Sequence, residues 1–277
     1  MKGRRAVPAL FADELVVIRG GGDIATGIGW RLSRAGFPVV VCELERPLTV
    51  RRAVAFSSAV LDDSVTVEGI TARVTRARDE RRIVAAALSG DVAVIVSPAL
   101  PRVLTPTVVI DARIAKINID TTIEDAALVI GIGPGFTAGV DCHAVIETVR
   151  GSHLGRVFWT GSAQADTGDP GEVGGRRGER VLRAPRAGVV DWRLAIGELV
   201  GVGDLLGEVG GAGVRAPFSG VIRGLIAAGT QVPKELKIGD IDPRKETRAD
   251  EISDKSLAVG GGALEAVLTF LNQRSQG

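Results

Sequence analysis

The chain has 277 residues, 45% hydrophobic and 24% charged but only 4% aromatic, with 37 Gly, 12 Pro and no Tyr. That apolar share excludes a disordered chain, the lack of a three-residue glycine period excludes a collagen-like one, and the length suits one large domain or two modest ones. With 34 Lys and Arg against 33 Asp and Glu, the formal net charge is +1 and no basic face is evident, so a nucleic-acid partner is not expected.

Residues 15–19 (LVVIR) form a short β-branched run, read as a strand, that ends in Gly20-Gly21-Gly22-Asp23-Ile24-Ala25-Thr26-Gly27. Ile24, Ile28, Leu32 and Ala35 then recur at helical spacing up to Gly36, and 39–42 (VVVC) reads as a second strand closing on Glu43. Strand, glycine loop and helix with G-x-G-x-x-A at Gly20, Gly22 and Ala25 make a nucleotide-type loop. Gly20 allows the tight turn, Gly22 lets the backbone approach a phosphate, and Ala25 lets the helix pack on the strand. Gly21, Asp23 and Thr26 complete the candidate set. Glu43 follows Gly20 by 23 residues, near the spacing of about 20 for a carboxylate that holds a ribose hydroxyl.

Expected helices at 48–60 and 79–88 and strands at 92–96 and 108–111 continue the alternation, which implies a mostly parallel sheet with right-handed crossovers. Residues 126–130 (AALVI) read as a strand running into a second glycine-rich loop, 131–139, with a helix expected over 140–150. In a parallel sheet both loops lie on one edge. Gly131, Gly133, Gly135, Phe136 and Thr137 therefore join the first loop as candidates for holding a phosphate-bearing ligand, with His143 facing the crevice as a ligand contact or proton donor.

Cys42 and Cys142 are too few for a disulfide framework or a Cys-rich zinc site, and both sit in apolar surroundings. Cys142 and His143, adjacent on an expected helix, point about 100° apart and do not form a local dyad. The basic start is interrupted by Pro8 and Asp13, and no stretch reaches the roughly 18 apolar residues of a spanning helix, so a cytoplasmic protein without a membrane partner is expected.

After Gly155 the texture changes to short β runs, which sets expected domains at 1–155, Rossmann-like, and 156–277, β-rich with a C-terminal helix at 263–272. Asp166-Thr167-Gly168 spells an aspartic-protease triplet, but its flanks, Gln164-Ala165 and Asp169-Pro170, lack the apolar strand that chemistry needs. Ala184-Pro185-Arg186-Ala187-Gly188-Val189-Val190 recurs 32 residues later as Ala216-Pro217-Phe218-Ser219-Gly220-Val221-Ile222. This texture resembles the biotinyl/lipoyl barrel-sandwich fold, whose halves are quasi-duplicates. The hairpin Gly210-Gly211-Ala212-Gly213 lacks the carrier lysine, which leaves a scaffold or docking module. Asp240, Asp242 and Asp254 fit a salt-bridged loop better than a hard-cation site.

Taken together, these motifs resemble the selenium-dependent molybdenum hydroxylase system protein family, an accessory group of molybdenum hydroxylases. The resemblance covers nearly the whole chain. It is carried by Val17-Ile18-Arg19 with the 20–27 loop, Glu43-Leu44-Glu45-Arg46-Pro47, 131–139, and His143-Ala144-Val145-Ile146-Glu147-Thr148 with Arg150-Gly151. Residues 237–244 and Ile252-Ser253-Asp254-Lys255 complete it. It implies a role in maturing a molybdenum hydroxylase by handling its pyranopterin cofactor or the dinucleotide form, and it supplies no catalytic residue.

Three functional readings stand on these residues. The first is a maturation factor that holds a nucleotide or the molybdenum cofactor dinucleotide on the twin glycine loops and docks on a client molybdenum hydroxylase, as a monomer or homo-oligomer. The second is an NAD(P)-dependent oxidoreductase, with Arg46, Arg51 and Arg52 near a 2′-phosphate, though without a Tyr no Tyr-Lys proton relay exists. The third is a non-enzymatic assembly scaffold.

Overall fold

The computed structural model describes residues 10–166, 168, 175–176 and 178–276; the basic start at 1–9 and Thr167 of the Asp166-Thr167-Gly168 triplet lie outside them. The described residues divide into two compact units. The first takes in those of Met1–Glu45, Phe56–Asp166 and Ile252–Gly277, and the second those of Arg46–Ala55 and Thr167–Glu251. No helix among them is long and apolar enough to cross a membrane.

The first unit is a mixed α/β structure. Its elements are β1 (Val16–Arg19), α1 (Asp23–Ala35), β2 (Val39–Glu43), the short α2 (Ala59–Asp62), β3 (Ser64–Val67), β4 (Ile70–Val74), α3 (Glu80–Leu88), β5 (Val92–Val96) and β6 (Val108–Asp111). They continue with β7 (Leu128–Ile132), β8 (Thr137–Ala138), β9 (Ala144–Ile146), β10 (Val157–Phe158), β11 (Gly161–Ser162) and α4 (Asp254–Arg274). Nine strands form one sheet in the order β10-β9-β7-β6-β1-β2-β5-β4-β3. The strands from β9 to β4 are parallel, and β10 and β3 run antiparallel at the edges.

The central strands are unbroken apolar runs because both faces of the sheet are covered. On one face Val17, Val40, Cys42, Val109 and Val129 cluster with Ile83 and Ala87 of α3. On the other, Ile18 lies against Gly29 of α1 and Ile146 against Gly262 of α4. Strand order reverses between β1 and β6, so the crevice beyond their C-terminal ends is where an open parallel sheet takes a ligand.

α4 begins at Asp254 rather than 263. Ser253 caps it by accepting the Ser256 N–H, and the helix runs through Gly260-Gly261-Gly262. Three consecutive glycines oppose helix formation locally. They are helical here because two backbones must touch: a Cβ on Gly260 would lie 2.4 Å from the Gly27 carbonyl oxygen, and one on Gly27 would lie 2.4 Å from that of Ser256. Tertiary packing overrides propensity at this contact. It also draws the C-terminal helix into the first unit, whereas the expected division at 155 places it with the second.

The helix expected over 140–150 is a strand. β9 pairs in parallel with β7, and His143 immediately precedes it: its N–H donates to Val129 O (2.8 Å), while its ring Nδ1 accepts the Val129 N–H (2.9 Å). A non-local partner strand decides the conformation, a signal that helical spacing cannot carry. His143 therefore sits at the N-terminal end of β9, away from the C-terminal edge, and burial pushes its pKa below 6.5. The helix expected over 48–60 is instead two 3-10 turns, Arg52–Val54 and Phe56–Ser58, leading into α2.

The second unit comprises β12 (Val181–Arg183), β13 (Gly188–Trp192), β14 (Leu199–Val200), β15 (Leu205–Val209), β16 (Ala212–Arg215), β17 (Gly220–Leu225), β18 (Gln231–Val232) and β19 (Lys237–Asp242). They form two four-stranded sheets, β12-β19-β17-β14 and β16-β15-β13-β18. The 32-residue repeat maps β12 onto β16, β13 onto β17, β14 onto β18 and β15 onto β19, so each sheet combines strands of both halves. Hydrogen bonds recur with the halves exchanged. Gly197 N–H donates to Ile222 O and Gly229 N–H to Val190 O, both at 2.8 Å. Leu206, Val209, Ile222, Leu225, Ile238 and Ile241 form a core of their own.

Two buried acids of this unit are paired. Asp240 bonds Arg180, and the fully buried Asp242 bonds Arg223 and Arg244. Burial alone would raise Asp242, and the Arg244 and Arg223 guanidiniums reverse that and hold it low. Arg52 is committed to Leu225 O and Arg51 to Glu251 O, both within this unit.

Gly260→Ala should destabilise by about 1–3 kcal/mol through overpacking, while Gly261→Ala, with nothing within 4 Å of its Cβ position, should stabilise by about 0.5–1 kcal/mol; denaturant unfolding that ranks them equally would refute the contact. Because His143 is held neutral, its contribution to stability is complete above pH 6.5 and declines as pH falls toward its lowered folded-state value. His143→Asn, which keeps an acceptor for Val129 N–H but does not titrate, should flatten thermal stability across that acidic window.

Candidate functional site

The crevice between β1 and β6 is built around charge. Arg19 and Asp111, register partners at the ends of these strands, are each 2% exposed. Arg19 donates to Thr121 Oγ1 and to Asp120, both at 2.7 Å, and Arg113 donates to Asp111 and lies 2.8 Å from Asp120. Thr121 Oγ1 donates to Asp111 at 2.6 Å, which closes the network. Buried charges persist when each finds a partner, and here they do. Burial alone would lower Arg113, but Asp111 and Asp120 hold it high, and Asp120 is correspondingly held low against its own slight burial.

This network fastens loop 112–121 over both glycine loops. A Cβ on Gly20 would meet the Arg113 backbone at 3.1 Å, and one on Gly135 would meet that of Ile117 at 2.6 Å. Within the same loop Ile114 (φ 54) and Lys116 (φ 67) adopt a left-handed conformation that side chains, above all β-branched ones, rarely take. Gly20 and Gly135 thus make room for the chain itself rather than for a ligand.

Other expected site residues are also engaged internally. Gly20 N–H donates to Cys42 O and Gly21 N–H to Glu43 Oε2, both at 2.8 Å, while Leu44 N–H donates to Glu43 Oε1. Glu43, expected on a ribose hydroxyl, instead ties the end of β2 to the first loop, and burial pushes its pKa up. Thr26 Oγ1 donates to Gly22 O and accepts Phe56 N–H (2.8 Å), pinning the chain after β2 beside the loop. Ala25 is buried in the first turn of α1.

The second loop is a packed strand connection. Phe136 lies in the core directly over Gly131, Gly133 abuts the Thr148 side chain, and the Thr137 amide and hydroxyl bond Asp141 and Ser162. Burial raises Cys42 to about 12 and Cys142 to about 11, so both stay thiols and neither is a nucleophile near neutral pH.

What remains open is the start of α1. The backbone N–H groups of Gly22, Ile24 and Ala25 meet no acceptor among the described residues, and Asp23 occupies the first turn. Lys255, in the first turn of α4, belongs to the same neighbourhood. Burial lowers its pKa below 10.5, Asp23 raises it, Arg150 lowers it further, and Glu147 and Asp254 raise it. No carboxylate of the described residues lies within ion-pair distance of its ammonium. Glu147 is already bonded by the amides of Thr148, Val149 and Gln164, and Asp254 pairs with Arg150. A lysine in the first turn of a helix opposes the helix dipole, a local rule broken at this position. That signal was hidden in the sequence because the glycines mask where α4 begins.

No family model matches the chain. It is 47% identical over 264 residues to a protein of Escherichia coli (strain K12) described as uncharacterized protein YqeB, a match covering 94% of this chain and 48% of that protein. The chain thus spans about half the length of the curated relative it matches. Among solved structures it is similar to an aspartoacylase family protein from Mesorhizobium loti at 12% identity, over 85% of this chain and 86% of that one, with a TM-score of 0.26. It is also similar to a succinylglutamate desuccinylase/aspartoacylase from Rhodobacter sphaeroides at 14% identity, over 84% and 86%, again with a TM-score of 0.26. Likeness at that level does not extend to shared chemistry.

Proposed function

We propose that the chain is a cytoplasmic accessory protein in the maturation of a molybdenum hydroxylase. Its first unit, Rossmann-like in this reading, binds a phosphate-bearing ligand, either a nucleotide or the dinucleotide form of the molybdenum cofactor. Its second, barrel-sandwich-like unit docks on the client enzyme. The observation that supports ligand binding is the set of amides at Gly22, Ile24 and Ala25, which meet no acceptor among the described residues, beside the half-buried Lys255, which meets no carboxylate among them. Amides at a helix start together with an ammonium suit a phosphate group. The expected twin-loop cradle narrows to this one place, since the second loop and Gly20 are filled by the chain.

The oxidoreductase reading finds less support than the maturation reading. Glu43 uses both carboxylate oxygens on backbone amides, and Arg51 and Arg52 are committed within the second unit.

Mass spectrometry of the supernatant from denatured protein tests the ligand directly, with a phosphate-bearing pterin or nucleotide expected. A chain that purifies empty and ignores both classes in titration would leave only the scaffold. Lys255→Ala should weaken binding about tenfold to a hundredfold, the loss of one charge-assisted hydrogen bond. Because the Lys255 pKa lies below 10.5, affinity of the native chain should fall as pH rises through that lowered value. Lys255→Arg should remove the fall, and an unchanged pH profile would exclude Lys255 from the site.

A further inference from the structure

The geometry points to a docking groove on the second unit for an extended, acidic segment of a partner protein, lying between β12 and β16. The proposal deepens, and rests on, the client-docking part of the function above; it is independent of the ligand at Lys255.

β12 and β16 are the same strand of the two repeated halves, and each is outermost in its sheet. Among the described residues β12 pairs only with β19 and β16 only with β15, which leaves one unpaired edge on each. Both strands line a single open groove of about 250 Å³, walled by Val181, Arg183 and Pro185 from one half and their repeat partners Gly213, Arg215 and Pro217 from the other. Small-molecule pockets start at roughly 300 Å³ and enclose their ligand. This groove is smaller and open, and its walls are strand edges, which recognise peptide backbone by strand addition. Pro185 and Pro217 have no N–H to offer, so each limits pairing to the short stretch before it.

Charge selects the occupant. Arg183 and Arg215 are exposed and held symmetrically, Arg183 Nη1 on Glu235 O (3.0 Å) and Arg215 Nη1 on Gly203 O (2.9 Å), carbonyls that are themselves 32 residues apart. Both side chains line the groove. The acid of the lining, Glu179, lies 3.6 Å from Arg176. A strand presents every second side chain on one face, so a segment with carboxylates at alternate positions meets both arginines while its backbone meets the free edges.

The test is fluorescence anisotropy of the full chain with a labelled heptapeptide of alternating Val and Glu. Saturable binding is expected, weakened at least tenfold by Arg183→Gln with Arg215→Gln, by Lys in place of Glu in the peptide, and by N-methylation of its backbone. Both arginines are exposed, so the variant should fold, and circular dichroism checks this. The proposal is overturned by absence of saturable binding, by binding indifferent to both substitutions, or by inorganic pyrophosphate displacing the peptide at equal concentration, which would assign the groove to small dianions. A client enzyme that binds the chain while the peptide does not would sink the groove and leave the docking function standing. Loss of ligand binding in Lys255→Ala should leave every one of these results unchanged.

Discussion

The contact between Gly27 and Gly260 is the constraint on which the first unit depends. Side chains normally keep helix axes about 8–10 Å apart; here each helix presents bare backbone to the other, because a Cβ on either glycine would collide with a carbonyl oxygen. That approach brings α4, distant in sequence, onto the same face of the sheet as α1. Its start then lies in the electrostatic neighbourhood of Asp23, and Lys255 arrives at the glycine loop with it. Without the contact the loop would have a helix dipole and no cation.

At the C-terminal ends of β1 and β6, the Arg19–Asp111 network performs a different task. It neutralises three buried or half-buried charges, Arg19, Asp111 and Arg113, together with the exposed Asp120, and binds loop 112–121 down over the strand ends. The place where an open parallel sheet normally receives a ligand is therefore filled by the chain, and the open amides of α1 lie to one side of it. Glycine serves three distinct ends in this protein: a close helix crossing, room for an overlying loop, and tight turns between short strands.

How much was legible in the sequence depended on how local each signal was. The buried strands β1, β2, β5, β6 and β7 announced themselves by β-branched runs, and α3 by the Asp79 cap that accepts the Arg82 amide. The 32-residue repeat was equally plain, since its Ala-Pro and Gly-Val pairs sit at matching turns. β9 differs from the helix its spacing suggests because its conformation is decided by pairing with β7. α4 starts earlier than the expected 263 because glycines that look like a loop before the helix are there for a neighbour 233 residues away in the chain, Gly260 against Gly27. Both differences bear on the candidate site: His143 precedes a strand rather than lying on a helix, and Lys255 lies in the first turn of a helix that starts before the glycines. The G-x-G-x-x-A pattern correctly located a strand, loop and helix, yet Gly20 and Gly21 donate their amides inward, which spacing alone does not disclose.

The exchange of strands between the repeated halves has a consequence for how the second unit comes into being. Neither half can complete a sheet from its own strands, since β12 and β14 need β17 and β19 while β16 and β18 need β13 and β15. A chain emerging during synthesis therefore gains from its first half only the β13–β15 pair, and the core closes only when the second half has arrived. Assembly must await long-range pairing, whose loop-closure cost precedes any reward. The duplication that makes the unit symmetric thus also makes it indivisible, and a half-length fragment would expose two unfinished sheets rather than one small domain.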